Sequence, residues 1–273
     1  MNAYVEILRP VNGVMAMVAV AVGFFVAGGQ FALPQGLALA MASAFLILSA
    51  GMVINDYYDY PIDKKTKKHR PIPSGRVGLG AARMYAAALF LVGLGLAFFV
   101  NMEAFVIAVL AAVTLFLYAK EFSKKAFTGN FLVALNTGLT FVFGAAVAGS
   151  IVSVEVMALA GMALFANLAR EVYGSIRDMK DDKGTRETLP MRIGVSKSVM
   201  IAAFAMVTAI MLSPIPYWAG IFGENYLLLI SLVDAGFLYI ILNSFRTKNF
   251  AREAHYCRVF QMAALIAFLV GAI

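Results

Sequence analysis

Long apolar runs recur along the whole chain, and clusters of glycine, proline and charged residues separate them. Each run is about the length that crosses a hydrocarbon core, some 20 residues. The pattern predicts nine spans, at roughly 10–28, 37–55, 79–100, 104–120, 129–149, 154–173, 195–213, 224–245 and 256–272. Membrane barrels use strands that alternate over ~10 residues. These runs are longer and uniformly apolar, so helices are predicted. The expected fold is all-α: one bundle of nine transmembrane helices, forming a single domain over residues 1–273. The first run, Val11 to Gly28, could be taken for a secretory signal, but no separate soluble domain follows it, so a retained span is expected.

Composition supports the membrane reading. The sequence is 62% hydrophobic and 14% charged, with a mean hydropathy of +0.84, whereas a soluble domain carries about 25% charge. Its one cysteine, Cys257, excludes an internal disulfide and a cysteine metal cluster. His69 and His255 are too few and too far apart to suggest a histidine metal site.

Charge adds an orientation. All 22 Lys and Arg fall before the first span, near the 2–3, 4–5, 6–7 and 8–9 connections, or at the span ends beside them. The other connections, around Gln30 to Gln35, Asn101 to Glu103, Ser150 to Glu155 and Ser213 to Glu224, hold none. The positive-inside rule makes the basic side cytoplasmic. A multi-pass cell-membrane protein is expected, with its N-terminus and basic loops inside and its C-terminus outside. Topology accounts for most of the net charge of +7.

Two basic-side stretches ask for more. The first is "VINDYYDYPIDKKTKKHRPIPSGR", residues 53–76, where Asn55, Asp59 and Asp63 follow at spacings of four. Asn55 and Asp59 share a helix face; Pro61 predicts a break that leaves Asp63 just beyond it. The second is "REVYGSIRDMKDDKGTRETLP", residues 170–190. Its Glu171, Asp178 and Asp182 fall within about 40° of each other around a helix. Carboxylates so close repel, and a divalent cation between them reverses the sign. Oxygen-only ligands with an Asn amide suit Mg²⁺, which binds through one or two carboxylates and a substrate's phosphates. Nearby Lys and Arg would neutralise the remaining phosphate charge. In a membrane, that phosphate is expected on a lipid.

These stretches resemble the UbiA superfamily of intramembrane prenyltransferases, which carries N-x-x-x-D-x-x-x-D after its second helix and an aspartate-rich motif after its sixth. Asn55 to Asp63 matches the first motif in full. Within the superfamily, "YVEILRPVN", "RPIPSGR", "GNFLVALNTGLTFVFGAAVAG", "TLPMRIG" and "LSPIPYWAGIFGENY" look most like the archaeal digeranylgeranylglyceryl phosphate synthase subfamily. That resemblance implies transfer of a geranylgeranyl group from its diphosphate to geranylgeranylglyceryl phosphate, a step in archaeal ether-lipid synthesis. Two departures stand out. Pro61 replaces a more usual polar residue, and the second motif is compressed to Asp178-Met179-Lys180-Asp181-Asp182-Lys183-Gly184. Asp182 completes the broader D-x-x-x-D; Asp181 fits the subfamily spacing.

The resemblance implies Mg²⁺ held by Asn55, Asp59, Asp63, Glu171, Asp178 and Asp181 or Asp182, with Asn55, Asp59 and Asp178 at the catalytic centre. Arg70, Arg76, Lys120, Lys124 and Lys125 are the expected phosphate seats, Arg70 foremost; Arg9 and Arg170, at span ends, are further possibilities. Tyr57, Tyr58, Tyr60 and Tyr173 could face an allylic cation or serve as interfacial belt residues. The expected partners are a prenyl diphosphate donor, a lipid-like glycerol phosphate acceptor and the bilayer, with no nucleic acid or protein. An aromatic quinone-precursor prenyltransferase and a cation-binding transporter are the alternatives. Asn136, Asn167 and Asp234 lie at membrane depth, where polar groups are functional or tie helices together. Gly93, Gly138, Gly144 and Gly161 are expected to admit close helix packing.

Overall fold

The computed structural model describes residues 2–29, 34–151 and 153–272, and among these every regular element is helical. A short α1 (Ala3–Leu8) leads into α2 (Pro10–Val26) through Arg9, a non-glycine residue in the left-handed region at φ 53°. Pro10 then opens α2, a position where a missing N–H costs nothing. There follow α3 (Gln35–Thr66), α4 (Leu79–Phe98), α5 (Met102–Lys120), α6 (Ala126–Val147), α7 (Val154–Asp178), α8 (Leu189–Ile193), α9 (Val195–Leu212), α10 (Ile215–Trp218), α11 (Glu224–Thr247) and α12 (Phe250–Ala272). The predicted connection from Gln30 to Gln35 lies largely outside the described residues.

Among the described residues, eight helical segments are long and apolar enough to cross a membrane. The ninth, α2, is apolar but has 17 residues. At 1.5 Å per residue it reaches ~26 Å, short of a ~30 Å hydrocarbon core. So the nine expected spans become eight long segments and one shorter helix. At the other extreme α3 has 32 residues, or ~48 Å. It runs through Pro61 without ending, contrary to the expected break. Proline removes one hydrogen bond; the turn beyond is held by Lys67 N–H on the Asp63 carbonyl at 2.7 Å and Arg70 on the Asp63 carboxylate at 2.6 Å. Asp63 therefore sits on the same helix as Asp59, fully buried.

Small residues set the packing. Gly23 of α2 and Gly144 of α6 face each other's backbone: a Cβ on Gly23 would lie 2.1 Å from the Phe141 carbonyl oxygen, and one on Gly144 2.0 Å from that of Val20. Gly138 meets the Ala160 carbonyl, Gly93 meets Ile47, and Gly161 meets Leu212, so the four expected close-packing glycines are all at helix contacts. The three polar residues at depth are helix ties. Asn136 exchanges bonds with Thr114 of α5, Asn167 donates to Thr137 of α6 at 2.8 Å, and Asp234 accepts from Ser213, just past α9, at 2.6 Å.

A methyl group at Gly144 has rigid backbone as its obstacle, so Gly144→Ala should cost about 1–3 kcal/mol. The purified protein in detergent should unfold several degrees lower, whereas Gly80→Ala, with nothing within 4 Å of an added Cβ, should not move. An unchanged midpoint for Gly144→Ala contradicts the close approach.

Candidate active site

The C-terminal ends of α3, α5 and α7 and the N-terminal ends of α6 and α12 gather at the basic end of the bundle. Between α5, α6, α7, α12 and the 179–188 loop lies a polar cavity of about 160 Å³. Lys125, Arg170, Arg177, Arg186 and Arg258 line it together with Glu171, Asp178, Asp182 and Glu187. Asn130, Ser175, Thr188 and Tyr118 complete its polar wall. A smaller cavity, about 60 Å³, lies within the bundle among α2, α3, α5 and α6 and is mostly apolar.

The first motif is a buried row of acids on α3. Asp56, Asp59 and Asp63 are each no more than 4% exposed. Such carboxylates need cations beside them, and each has one. Asp56 takes Arg9 at 2.6 Å and Arg70 at 3.3 Å; Asp63 takes Arg70 at 2.6 Å and Lys67 at 3.5 Å. Asp59 takes Arg186 from the 179–188 loop at 2.5 Å. That contact runs from Arg186 Nη2 to Asp59 Oδ1, and Arg186 Nε is buried with no partner. Burial works against the Arg186 charge, and Asp59 outweighs it, so the guanidinium is held above its ordinary pKa. Asn55 Nδ2 donates to Asp59 Oδ2 at 3.0 Å, and Asn55 Oδ1 is buried with no partner.

The second motif ends α7 and enters the loop. Arg177 forks onto Asp178 at 2.6 and 2.7 Å, and Arg170 pairs with Glu171. Asp182 lies 3.9 Å from Arg186. Partial burial raises its pKa above the usual carboxylate range, with Arg186 opposing. Arg186 thus stands against both motifs at once, Asp59 of the first and Asp182 of the second.

The seven-residue metal set does not converge as expected. Among the described residues no three His, Cys, Asp or Glu side chains group closely enough to hold a metal. The reason is visible: guanidinium groups occupy the space between carboxylates that would otherwise repel. Asp182 lines the cavity, whereas Asp181 is exposed and does not. Asp63 belongs to the Arg70 network. Asn55 and Asp59 nevertheless fit a hard cation: both offer oxygen on the same helix face, Asn55 Oδ1 is buried with no partner, and Asp59 Oδ1 is held only by the exchangeable Arg186 contact.

Of the expected phosphate seats only Lys125 lines the cavity. Arg70 is committed to Asp56 and Asp63. Arg76 forks onto Glu6 and donates to the His69 carbonyl, and it holds the Glu6 carboxyl below its ordinary pKa. Lys120 and Lys124 lie outside the cavity wall. So do the tyrosines: Tyr57 packs on Tyr58, and Tyr173 is in the core, stacked on Phe250.

A sequence profile described as the UbiA prenyltransferase family matches residues 16–266. The chain belongs to the UbiA prenyltransferase family. It is therefore a prenyltransferase and a multi-pass membrane protein. The digeranylgeranylglyceryl phosphate synthase of Methanosphaera stadtmanae is 33% identical, with 100% of both chains covered. That of Methanococcoides burtonii is 37% identical, again with full coverage of both. A solved structure of digeranylgeranylglyceryl phosphate synthase superposes with a TM-score of 0.83 at 33% identity, covering 99% of this chain and 98% of that one. A UbiA homologue from Archaeoglobus fulgidus bound to GPP and Mg²⁺ shares the fold at 18% identity, with a TM-score of 0.73 and 98% and 100% coverage.

Set on this UbiA scaffold, several site residues go beyond those expected. Asp56 lies inside the first motif, and Arg186 follows Asp182 by four residues, so both were within reach of a sequence argument. Tyr118, Asn130 and Arg258 come from other helices, with no local signal to connect them.

The Arg70 geometry gives that residue a structural task of its own. Removing its guanidinium leaves two buried carboxylates under-compensated, a loss on the order of 3 kcal/mol. Arg70→Ala should lower the thermal midpoint by several degrees and reduce folded yield in detergent. A variant of wild-type stability with a raised KM for one substrate would return Arg70 to phosphate binding.

Proposed function

We propose that this chain is a Mg²⁺-dependent digeranylgeranylglyceryl phosphate synthase. It transfers a geranylgeranyl group from geranylgeranyl diphosphate to the free hydroxyl of geranylgeranylglyceryl phosphate. The donor's C1–O bond breaks, a C1–O bond to glycerol forms, diphosphate leaves with the bonding electron pair, and the hydroxyl proton passes to solvent. The full-length similarity to enzymes of that name supports the substrates. The observation that carries the site is Arg186, a single guanidinium set against the acids of both motifs.

Asn55 and Asp59 from the first motif and Asp178 and Asp182 from the second are the ligands in this reading, with Glu171 beside the latter two in the cavity wall. Bound there, Mg²⁺ would act as a Lewis acid that neutralises the leaving diphosphate. The chain's own residues do the rest. Arg186 supplies the counter-charge for Asp59 and Asp182 while no substrate is present. Its Nε, buried without a partner, is a donor that a phosphate oxygen can take. The apolar bundle, with its small inner cavity, receives isoprenoid and keeps water from the allylic carbon. Family membership and the concentration of charge at one end count against a transporter, which would place charge at midplane on broken helices. We place the basic end on the cytoplasmic side and count α2 as the ninth crossing.

The test is product identification. Purified protein in lipid receives labelled geranylgeranyl diphosphate, Mg²⁺, and either the prenylated glycerol phosphate or 4-hydroxybenzoate. The lipid diether phosphate should form; a prenylated aromatic product alone would sink the assignment. Excess EDTA should stop turnover and added Mg²⁺ restore it. Asp59→Asn should lower kcat by roughly 100-fold or more. Lys67→Ala should change little, because Lys67 is 44% exposed and 3.5 Å from Asp63.

A further inference from the structure

The cavity wall contains more donors than its own acids use. Four of its cations face a carboxylate: Lys125 lies 3.6 Å from Glu121, Arg170 is on Glu171, Arg177 on Asp178, and Arg186 on Asp59. The fifth, Arg258 of α12, makes no ion pair or hydrogen bond among the described residues. Charged groups around it are chiefly other arginines, Arg170 and Arg177, against Glu171. Arg258 and Glu187 are both exposed, Arg258 on the cavity wall and Glu187 on the loop, and Glu187 also has no ion pair.

Two uncharged groups in the same wall are also unsatisfied. Asn130 of α6 is 8% exposed; its Oδ1 accepts from Ser175 Oγ at 3.1 Å, which leaves Nδ2 with no acceptor. Thr188 is 8% exposed, and its hydroxyl has no partner. Buried donors are rarely left unused. An exposed guanidinium without an acid partner beside a buried free amide N–H₂ and a buried free hydroxyl, all lining one polar cavity, is complementary to a phosphate, which offers several acceptor oxygens and negative charge.

We propose that Arg258, Asn130 and Thr188 form the seat for the phosphate of the acceptor lipid, within the same cavity that Asp178 and Asp182 line, while the acids take the donor's diphosphate through metal. This rests on the substrate assignment above. It also follows from charge: the acids Asp59, Asp178 and Asp182 attract metal–diphosphate, while a second phosphate needs cations not already matched. Arg258 is that cation. Its anchor is a helix remote in sequence from both motifs.

The test uses the full chain in lipid nanodiscs, with Arg258→Ala, Arg258→Lys and Asn130→Ala. For Arg258→Ala, KM for the prenylated glycerol phosphate should rise roughly tenfold or more, the loss of a charge-assisted bond, while KM for geranylgeranyl diphosphate stays within about twofold. With the same acceptor lacking its phosphate, wild type and Arg258→Ala should have equal kcat/KM. Equilibrium binding of the phosphorylated acceptor, without metal or donor, should weaken in parallel, and lysine should restore part of it. Asn130→Ala should show the same pattern, more weakly. Equal losses on both acceptors, a loss confined to the donor, or unchanged acceptor binding would overturn the seat. If wild type makes no product from this acceptor, the substrate assignment fails, and the binding measurement alone decides whether Arg258 holds a lipid phosphate.

Discussion

Buried carboxylates on α3 and partly buried ones at the end of α7 can stay charged only with cations against them, and that requirement organises the basic end of the bundle. Arg9 reaches from the α1–α2 joint to Asp56, Arg70 joins Asp56 to Asp63, and Arg186 brings the 179–188 loop onto Asp59. Each pair ties a separate stretch of chain to α3. Charge matching therefore fixes where the N-terminus, the loop after α3 and the loop after α7 sit. In the lipid part of the bundle, where apolar burial does not separate helix from lipid, small residues take over that role. The facing Gly23 and Gly144 set how near α2 and α6 come.

The two sets of contacts differ in what they allow. Glycine against backbone carbonyl leaves no slack and holds the scaffold. Guanidinium against carboxylate is exchangeable, because a metal ion or a phosphate can replace either member. The Arg186–Asp59 contact is of the second kind, and it lies where the two motifs meet.

The fold was largely legible in the apolar pattern. The predicted 79–100 and 104–120 became Leu79–Phe98 and Met102–Lys120. Helix ends were less so at the motifs, where α3 runs to Thr66 and α7 to Asp178. An apolar run marks the edge of the lipid, whereas a helix ends where its backbone bonds end, and Asp, Lys and Tyr do not interrupt those bonds. Reading Pro61 as a break overweighted one missing N–H. The acidic motifs were legible because their Asn and Asp residues repeat at helical spacing. The pairing of bases with acids was not. Arg9 and Asp56 are 47 residues apart in sequence, so composition could name a basic loop but not the carboxylate each base would meet. Arg70 looked free because it follows the motif, and it proved to be part of that motif's support. Arg258 stayed hidden as one more basic residue at a span end.

The length of α3 has a further effect. At ~48 Å it overshoots the ~30 Å hydrocarbon core, so the helix carries its acids out of the oily layer while its apolar half remains inside. With the proposed site at those acids, bond breaking takes place at a phase boundary. The two products prefer opposite phases: diphosphate dissolves in water, and the doubly alkylated lipid stays with other lipids. Each can leave in its own direction, and the boundary itself separates them without a transport step.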